Sequence, residues 1–161
     1  MLPDTKQWER FSIKQLLPHN KCYLCYNPFM KKIVSVNNIY ISQSKIPKAE
    51  RGVFANVDIK KGETIETCPI IELQEHELSG LGESILLHYV YFFGEKKERL
   101  LLALGFGSIY NHQYLPNAVY KIKSKEKIIE FIAIKDIKKD EEITVNYVPS
   151  NHQSVPLWFE E

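Results

Sequence analysis

Cysteine is scarce in this 161-residue chain, which has only three, too few for a disulfide framework. Long apolar runs are missing as well, because no stretch approaches the roughly 20 residues that a membrane-spanning helix needs. Charge of one sign does not dominate: the net charge is +1, which gives no overall signature of nucleic-acid binding. Asp4 and Glu9 near the start do not fit a secretory signal peptide. We therefore expect a cytoplasmic or nuclear protein with no membrane partner and no direct nucleic-acid partner.

Two of the three cysteines, Cys22 and Cys25, form a C-x-x-C motif, and His19 stands three residues before it. A structural zinc site takes four ligands. The remaining candidates, Cys68 and the other histidines, are far away in the sequence. We therefore predict two reduced, partly buried thiols and no metal site.

The composition is that of a globular protein, with 44% apolar and 25% charged residues, and the length fits one domain with a moderate core. Residues 4–17 have the pattern of an amphipathic helix, which Asp4 caps and Pro18 ends, and we assign residues 1–38 to an N-terminal flank. The following part is mainly β, because short apolar and β-branched runs alternate with Gly, Pro and charged turns. Strands are predicted near residues 39–41, 53–57, 63–67, 70–73, 89–93, 100–104, 118–122 and 128–134, with a helical interruption in 74–88. Residues 39–148 form the main domain and residues 149–161 a C-terminal aromatic tail.

One segment of this domain is similar to another. Residues 54–65 read FANVDIKKGETI and residues 132–143 read IAIKDIKKDEEI, and both contain Asp-Ile-Lys-Lys between two apolar runs. Two unrelated turns with similar chemistry would explain the likeness, and so would one strand–turn–strand unit used twice. We favour the second explanation, which predicts a compact sheet assembly with internal pseudo-symmetry, since two copies are too few for a solenoid.

Three short motifs follow one another in a set order. Glu50-Arg51-Gly52-Val53 precedes the first copy, Asn111-His112 and Pro116-Asn117 lie in the middle, and Glu141-Glu142-Ile143-Thr144-Val145-Asn146-Tyr147 ends the second copy. In this order and spacing the chain resembles the SET-domain family of protein-lysine methyltransferases, over roughly residues 40–148. The resemblance implies a β-clip-like fold of short sheets with a C-terminal pseudoknot, in which the Asn-His segment lies at the centre of the site.

The resemblance implies that the protein is an enzyme that transfers a methyl group from S-adenosylmethionine to a lysine side chain. In the family, the backbone at the positions of Arg51, Gly52 and Val53 contacts the polar end of the cofactor. Asn111 is expected to bond the amino-acid end of the donor, and His112 to contact the adenine through its backbone. A structural, buried role for the His112 side chain stays open, and we do not predict that it acts as a general base.

Tyr147 matches the catalytic tyrosine of the family, whose hydroxyl lies near the transferring methyl group, so we count it among the cofactor contacts as well. Tyr120 matches a position where some members carry a tyrosine that lines the lysine channel; packing in the core is the alternative. The family often has a further channel tyrosine on the strand after the first copy. Cys68-Pro69 occupies that stretch here, and Tyr89 or Tyr91 is left as a replacement.

The chain departs from the family pattern at several positions. Glu50 replaces the first glycine of the family motif, Gln113 replaces the usual serine, and Asn146 replaces the usual aspartate. No cysteine follows Tyr147, so the cysteine-rich cap of many relatives is missing. We expect the tail, with Trp158 and Phe159, to cover the adenine of the cofactor instead; packing of the tail against the N-terminal flank is the alternative.

The partner implied by the resemblance is a lysine-containing protein, with a histone or a ribosomal protein as candidates. An inactive SET-like domain that only binds proteins is the alternative to an enzyme. The chain retains Asn111, His112 and Tyr147, the residues that degraded domains usually lose, and this favours the enzyme.

Overall fold

The computed structural model describes residues 38–78, 80–81, 84–94 and 99–147. This part of the chain is mainly β, as the sequence predicts. The strands are β1 Ile39–Gln43, β2 Arg51–Ala55, β3 Thr64–Leu73, β4 Val90–Phe93, β5 Arg99–Ala103, β6 Asn111–His112, β7 Ala118–Lys123, β8 Ile128–Ala133 and β9 Glu142–Val145. A short helix α1, Glu75–Leu78, and a 3-10 helix, Ile85–Tyr89, form the predicted interruption. The predicted N-terminal helix and the aromatic tail lie outside the described residues.

The strands form two sheets that share a core. One sheet has the order β1-β2-β9-β6 and the other the order β4-β5-β3-β8-β7. Apolar side chains from both sheets are buried together, among them Val53, Ile65, Leu101, Phe131 and Ile143. Within the residues described here, we find no helix with the length and apolar character that crossing a membrane requires.

Strand β3 is one continuous strand where the sequence predicts two. Residues up to Pro69 pair with β8, whereas Ile70–Leu73 pair with β5. Proline has no backbone N–H to donate, so it fits where a strand changes partner. Its carbonyl oxygen still accepts a bond from Leu104 N–H at 2.8 Å. The apparent gap in the sequence therefore marks a change of partner strand.

The two similar segments are related by a local pseudo-twofold axis, as the internal similarity predicts. Ile59 and Ile137 pair with each other through two N–H to carbonyl bonds of 2.8 Å, and both side chains are buried. Asp58 accepts a bond from a backbone N–H of the opposite copy at 2.9 Å, and Asp136 does the same at 3.0 Å. The repeated Asp-Ile-Lys-Lys thus serves to join the two copies.

Strand β9 is an inner strand of the first sheet and lies between β2 and β6. It is antiparallel to β2 on one side and parallel to β6 on the other, where Asn111 lies opposite Thr144. The buried Asn117 side chain fixes the arrangement: its Oδ1 accepts from Thr144 N–H at 2.9 Å, and its Nδ2 donates to the Glu142 carbonyl oxygen at 2.9 Å. These bonds satisfy backbone groups that would otherwise be buried without partners. The threading of the chain into a pseudoknot stays a prediction.

Candidate active site

Asn111 is the centre of a hydrogen-bond network at the start of β6. Its Nδ2 donates to the Arg51 carbonyl oxygen at 2.8 Å, to Glu142 Oε1 at 2.9 Å and to Ser44 Oγ at 3.2 Å. An amide nitrogen has two hydrogens, so these acceptors take up its donor capacity. The amide oxygen, an acceptor, is the atom that Asn111 can offer to a ligand.

The Glu142 carboxylate lies beside Asn111 and is buried. In addition to Asn111, it accepts from Ser44 Oγ at 2.8 Å and from Lys45 N–H at 2.9 Å. All these donors are neutral, although a buried carboxylate is stabilised best by a nearby positive charge. This negative charge therefore makes the surroundings of Asn111 favourable for a cationic group.

Gly52 has no space for a side chain. A Cβ atom there would lie 2.2 Å from Glu142 Oε1 and 3.0 Å from Asn111 Nδ2. The sequence predicts Gly52 for close approach to a cofactor, and the structure adds a second reason, the network of Asn111. On either side of it, Arg51 is exposed and donates from Nη2 to the Tyr89 hydroxyl at 3.2 Å, whereas Val53 is fully buried in the core.

His112 is buried and joins the Asn-His segment to the end of the described chain. Its Nδ1 accepts from Tyr147 N–H at 3.0 Å, so this nitrogen is unprotonated. The ring packs edge-on against Tyr114 at 4.6 Å and lies 5.3 Å from the Tyr147 ring. These contacts agree with the structural role that the sequence leaves open for this side chain.

Three tyrosines lie close together next to this network, two of them on separate strands and the third just after β9. The Tyr91 ring, on β4, packs edge-on against the Tyr120 ring, on β7, with 5.0 Å between centroids. Tyr147 lies close enough that its phenol and those of Tyr91 and Tyr120 oppose each other's ionisation. We call Tyr91, Tyr120 and Tyr147 the tyrosine cluster.

The hydroxyls of two members are held by one loop, residues 104–110. Tyr91 donates to the Gly107 carbonyl oxygen, and Tyr147 donates to the Tyr110 carbonyl oxygen. Each bond uses the phenolic hydrogen and leaves oxygen lone pairs as acceptors. The loop therefore fixes which way these two hydroxyls point.

The phenols of the cluster are neutral at physiological pH. Tyr147 is 39% exposed overall, but desolvation of its phenol, followed by the nearby Tyr120 and Tyr89, raises its pKa to about 12. Burial is the first cause for Tyr91, whose pKa is raised well above its usual value, and it also raises the pKa of Tyr120. Low dielectric disfavours a phenolate, so the cluster presents neutral, polarisable aromatic surface.

These shifts predict a loss of stability at high pH. Partly buried Tyr91 and fully buried Tyr110 both have raised pKa values in the folded protein, whereas the unfolded phenols ionise near pH 10. Their contribution is complete below pH 10 and is lost as the pH rises further, by about 1.4 kcal/mol per pH unit for each phenol. Urea unfolding between pH 9 and 11.5 measures the slope. The slope should become shallower in Tyr91→Phe, and an unchanged slope would show that this phenol ionises freely when folded.

Sequence reasoning left Tyr91 as one of two alternatives and gave Glu142 no role. Tyr91 was one of two candidates for the missing channel tyrosine, and its ring contact with Tyr120 is what places it in the tyrosine cluster. Glu142 was noticed as part of the last motif, and that motif was the signal that could have shown its role. Trp158, His19, Cys22 and Cys25 lie outside the described residues, so the predictions about them stay predictions.

Comparison with known proteins identifies the class to which this fold and site belong. A family model described as SET domain matches residues 50–148. A Schizosaccharomyces pombe protein named histone-lysine N-methyltransferase, H3 lysine-37 specific, is 34% identical over 112 residues, which cover 69% of this chain and 71% of that protein. The chain belongs to the SET-domain family, and these likenesses support a methyltransferase.

Solved structures show the same fold. A Plasmodium falciparum protein, provisionally named a histone methyltransferase, is 34% identical with a TM-score of 0.52, over 70% of this chain and 98% of that one. A polycomb repressive complex 2 in an autoinhibited conformation, bound to S-adenosylmethionine, has a TM-score of 0.60 at 24% identity, over 70% of this chain and 15% of that one. The second likeness concerns the fold alone.

Proposed function

We propose that this protein transfers a methyl group from S-adenosylmethionine to the side-chain amine of a lysine in a protein substrate. The observation that carries the proposal is the position of the tyrosine cluster directly beside the Asn111 network. His112 connects the two, because its segment carries Asn111 and its ring bonds the backbone of Tyr147. A donor site and an acceptor channel thus meet at one point.

The residues of the Asn111 network fit the amino-acid end of the donor. That end carries an ammonium group, and the donor as a whole carries a positive sulfonium. The Asn111 amide oxygen offers an acceptor, and the buried Glu142 carboxylate supplies a negative charge nearby. When bound, the cofactor supplies an electrophilic methyl group. The chain's own contribution is to bind this cation and to orient it toward the tyrosine cluster.

The tyrosine cluster fits the acceptor lysine. A free lysine has a pKa of about 10.4 and is protonated at neutral pH, so it must lose a proton before it can attack. A narrow channel of neutral aromatic rings disfavours the ammonium and lowers that pKa. Aromatic faces also stabilise a methylated ammonium by about 0.5–2 kcal/mol through cation–π contact. Tyr120 and Tyr91 provide these faces.

Tyr147 orients the amine. Its hydroxyl donates its hydrogen to the Tyr110 carbonyl oxygen, so toward the neutral amine the phenol oxygen would act as an acceptor. With a pKa of about 12, the phenol stays protonated at neutral pH and does not act as an anionic base. The proton of the substrate lysine therefore leaves to solvent before transfer. Holding the amine in line with the methyl group is then the main contribution of Tyr147 to the rate.

Histone H3 is the substrate that we propose to test first. The Schizosaccharomyces pombe relative is named for lysine 37 of histone H3, and it is similar over most of both chains. The tail is proposed to complete the donor site. Trp158 and Phe159 follow Tyr147 by about ten residues, which is enough chain to cross the site, and the stacking of Trp158 on the adenine stays a prediction.

Methyl transfer is tested by incubation of the EDTA-treated protein with methyl-tritiated S-adenosylmethionine and histone octamers, H3 peptides or ribosomal proteins, followed by mass spectrometry of the labelled residue. We expect label on a lysine, without added metal, and at least tenfold slower labelling with Tyr147→Phe. Calorimetry on the same sample measures donor binding. Donor binding without transfer to any substrate would favour a binding module, and absence of both would contradict the proposal.

A further inference from the structure

Glu66 is a buried carboxylate that the proposed chemistry does not use. It lies on β3, and a register shift between Thr64 and Glu66 marks a β-bulge. Because of this irregularity both Ile65 and Glu66 are buried, where regular alternation would bury only one of them. A buried acidic side chain in the interior of a strand requires specific hydrogen-bonding partners.

Glu66 bonds two groups of the loop that holds the tyrosine cluster, and it also bonds a side chain on its own strand. Oε2 accepts from the Tyr110 hydroxyl at 3.0 Å, and Oε1 accepts from Phe106 N–H at 3.0 Å. The Cys68 thiol is hydrogen-bonded to the same carboxylate; burial and this charge raise the pKa of Cys68 well above its usual value. Glu66 thus anchors the 104–110 loop at two points.

The loop is packed onto Glu66 without spare room. A Cβ at Gly105, whose φ is +68°, would lie 2.5 Å from Glu66 Oε1. At Gly107 a Cβ would lie 2.8 Å from Cys68 Sγ. The Tyr110 ring is buried and stacks on Phe131 with 4.2 Å between centroids. The loop therefore has little freedom to shift while Glu66 and Cys68 keep their positions.

The same loop presents the two carbonyl oxygens that orient the channel hydroxyls. Gly107 accepts from Tyr91, and Tyr110 accepts from Tyr147. Tyr110 is thus bonded at both ends: its hydroxyl to Glu66 and its carbonyl to the Tyr147 hydroxyl. A change at Glu66 would reach both channel hydroxyls through main-chain atoms.

We propose that Glu66 is a positioning residue for methyl transfer, which holds Tyr147 and Tyr91 in line through the 104–110 loop. The proposal rests on the proposed function for its catalytic consequence. The geometric part, that Glu66 and the Tyr110 hydroxyl set the positions of two other phenols, stands independently of any activity. Neither residue touches the reacting atoms, so the effect must be indirect.

The first test measures the geometry. Tyrosine labelled with ¹³C at Cζ gives nine signals, which Tyr→Phe substitutions assign. In Tyr110→Phe and in Glu66→Met, the signals of Tyr147 and Tyr91 should move. Tyr40→Phe is the matched control, because it removes a tyrosine–carboxylate bond of 2.8 Å to Asp140 outside the cluster. Unmoved Tyr147 and Tyr91 signals in the folded Tyr110→Phe protein would overturn the proposal, whether or not Glu66→Met folds.

The second test measures turnover. Displacement of the aligned groups should lower kcat by roughly tenfold or more in Tyr110→Phe, with the dissociation constant of S-adenosylmethionine unchanged. Glu66→Gln keeps an acceptor for Phe106 N–H and should restore most of the rate that Glu66→Met loses. In a background that carries both Tyr91→Phe and Tyr147→Phe, Tyr110→Phe should lower kcat by less than about twofold, since both hydroxyls that it positions are then absent.

The outcomes distinguish a failure of the positioning role from a failure of the proposed function. An undiminished loss from Tyr110→Phe in the background without both hydroxyls, or an equal loss in Tyr40→Phe, would mean that Tyr110 acts only on stability, and would overturn the positioning role. A wild-type protein that transfers no methyl group while its Tyr147 and Tyr91 signals respond to Tyr110→Phe would refute the proposed function. It would support the geometric part of this proposal.

Discussion

Tyr147→Phe should lower turnover at least tenfold, an increase of about 1.4 kcal/mol in the barrier. The ring remains, so the packing against His112 is kept and the donor should bind with little change. What is lost is the hydroxyl that the Tyr110 carbonyl oxygen orients. Single-turnover methyl transfer at saturating donor measures the effect on chemistry, and calorimetry measures donor binding.

The pH profile adds a second criterion for Tyr147. The wild-type rate should rise between pH 7 and 9 as the substrate lysine loses its proton, without a falling limb from the phenol, whose pKa is about 12. Tyr147→Phe should show the same rise at a lower level. Unchanged turnover in this variant would remove Tyr147 from the mechanism. A fall that appears only in the affinity for the donor would reassign it to binding.

Gly52→Ala should weaken S-adenosylmethionine binding by at least about tenfold, because the new methyl group overpacks the site. Its Cβ would lie 2.2 Å from Glu142 Oε1 and 3.0 Å from Asn111 Nδ2, so both side chains must move. Overpacking of this kind also costs about 1–3 kcal/mol of the free energy of unfolding. Calorimetry with the donor, at a temperature where the variant is folded, measures the binding change.

Gly80→Ala is the matched control for this substitution. A Cβ at Gly80 would lie 3.7 Å from its nearest neighbour, the Glu77 carbonyl oxygen, which is ordinary contact. This variant should bind the donor as the wild type does. If Gly52→Ala also binds normally while folded, the Asn111 network does not contact the donor, and the donor site must be sought elsewhere on the domain.

The elements that the sequence predicts well are those that depend on neighbours along the chain. Short apolar runs between turns predict most of the strands. The repeated Asp-Ile-Lys-Lys predicts the pseudo-symmetry, because each aspartate accepts a bond from the opposite copy in the same way. The sequence predicts no strand at the Asn-His segment, which forms the two-residue strand β6 beside β9. That pairing involves residues more than thirty positions apart, which no local pattern reveals.

The proposed lysine channel contains one position that the sequence alone could not assign. Cys68 stands where relatives often carry a tyrosine, and the sequence left Tyr89 and Tyr91 as equal replacements. In the folded chain, Tyr91 packs on Tyr120, whereas the Tyr89 hydroxyl accepts from Arg51. Tyr89 ends the 3-10 helix, whereas Tyr91 lies on β4, so the choice depends on where the chain passes from helix to strand.

By itself, the sequence determined the family and the mainly β class and named Asn111, His112 and Tyr147 as candidate site residues, because motif order and turn chemistry are written in consecutive residues. Only the tertiary structure decided that Tyr91 joins the tyrosine cluster and that Glu66 turns inward beneath it. The first depends on a ring contact between β4 and β7, two unpaired strands that are distant in sequence. The second depends on a β-bulge that changes which face of β3 a residue occupies. The regular alternation of side chains along a strand cannot predict that change.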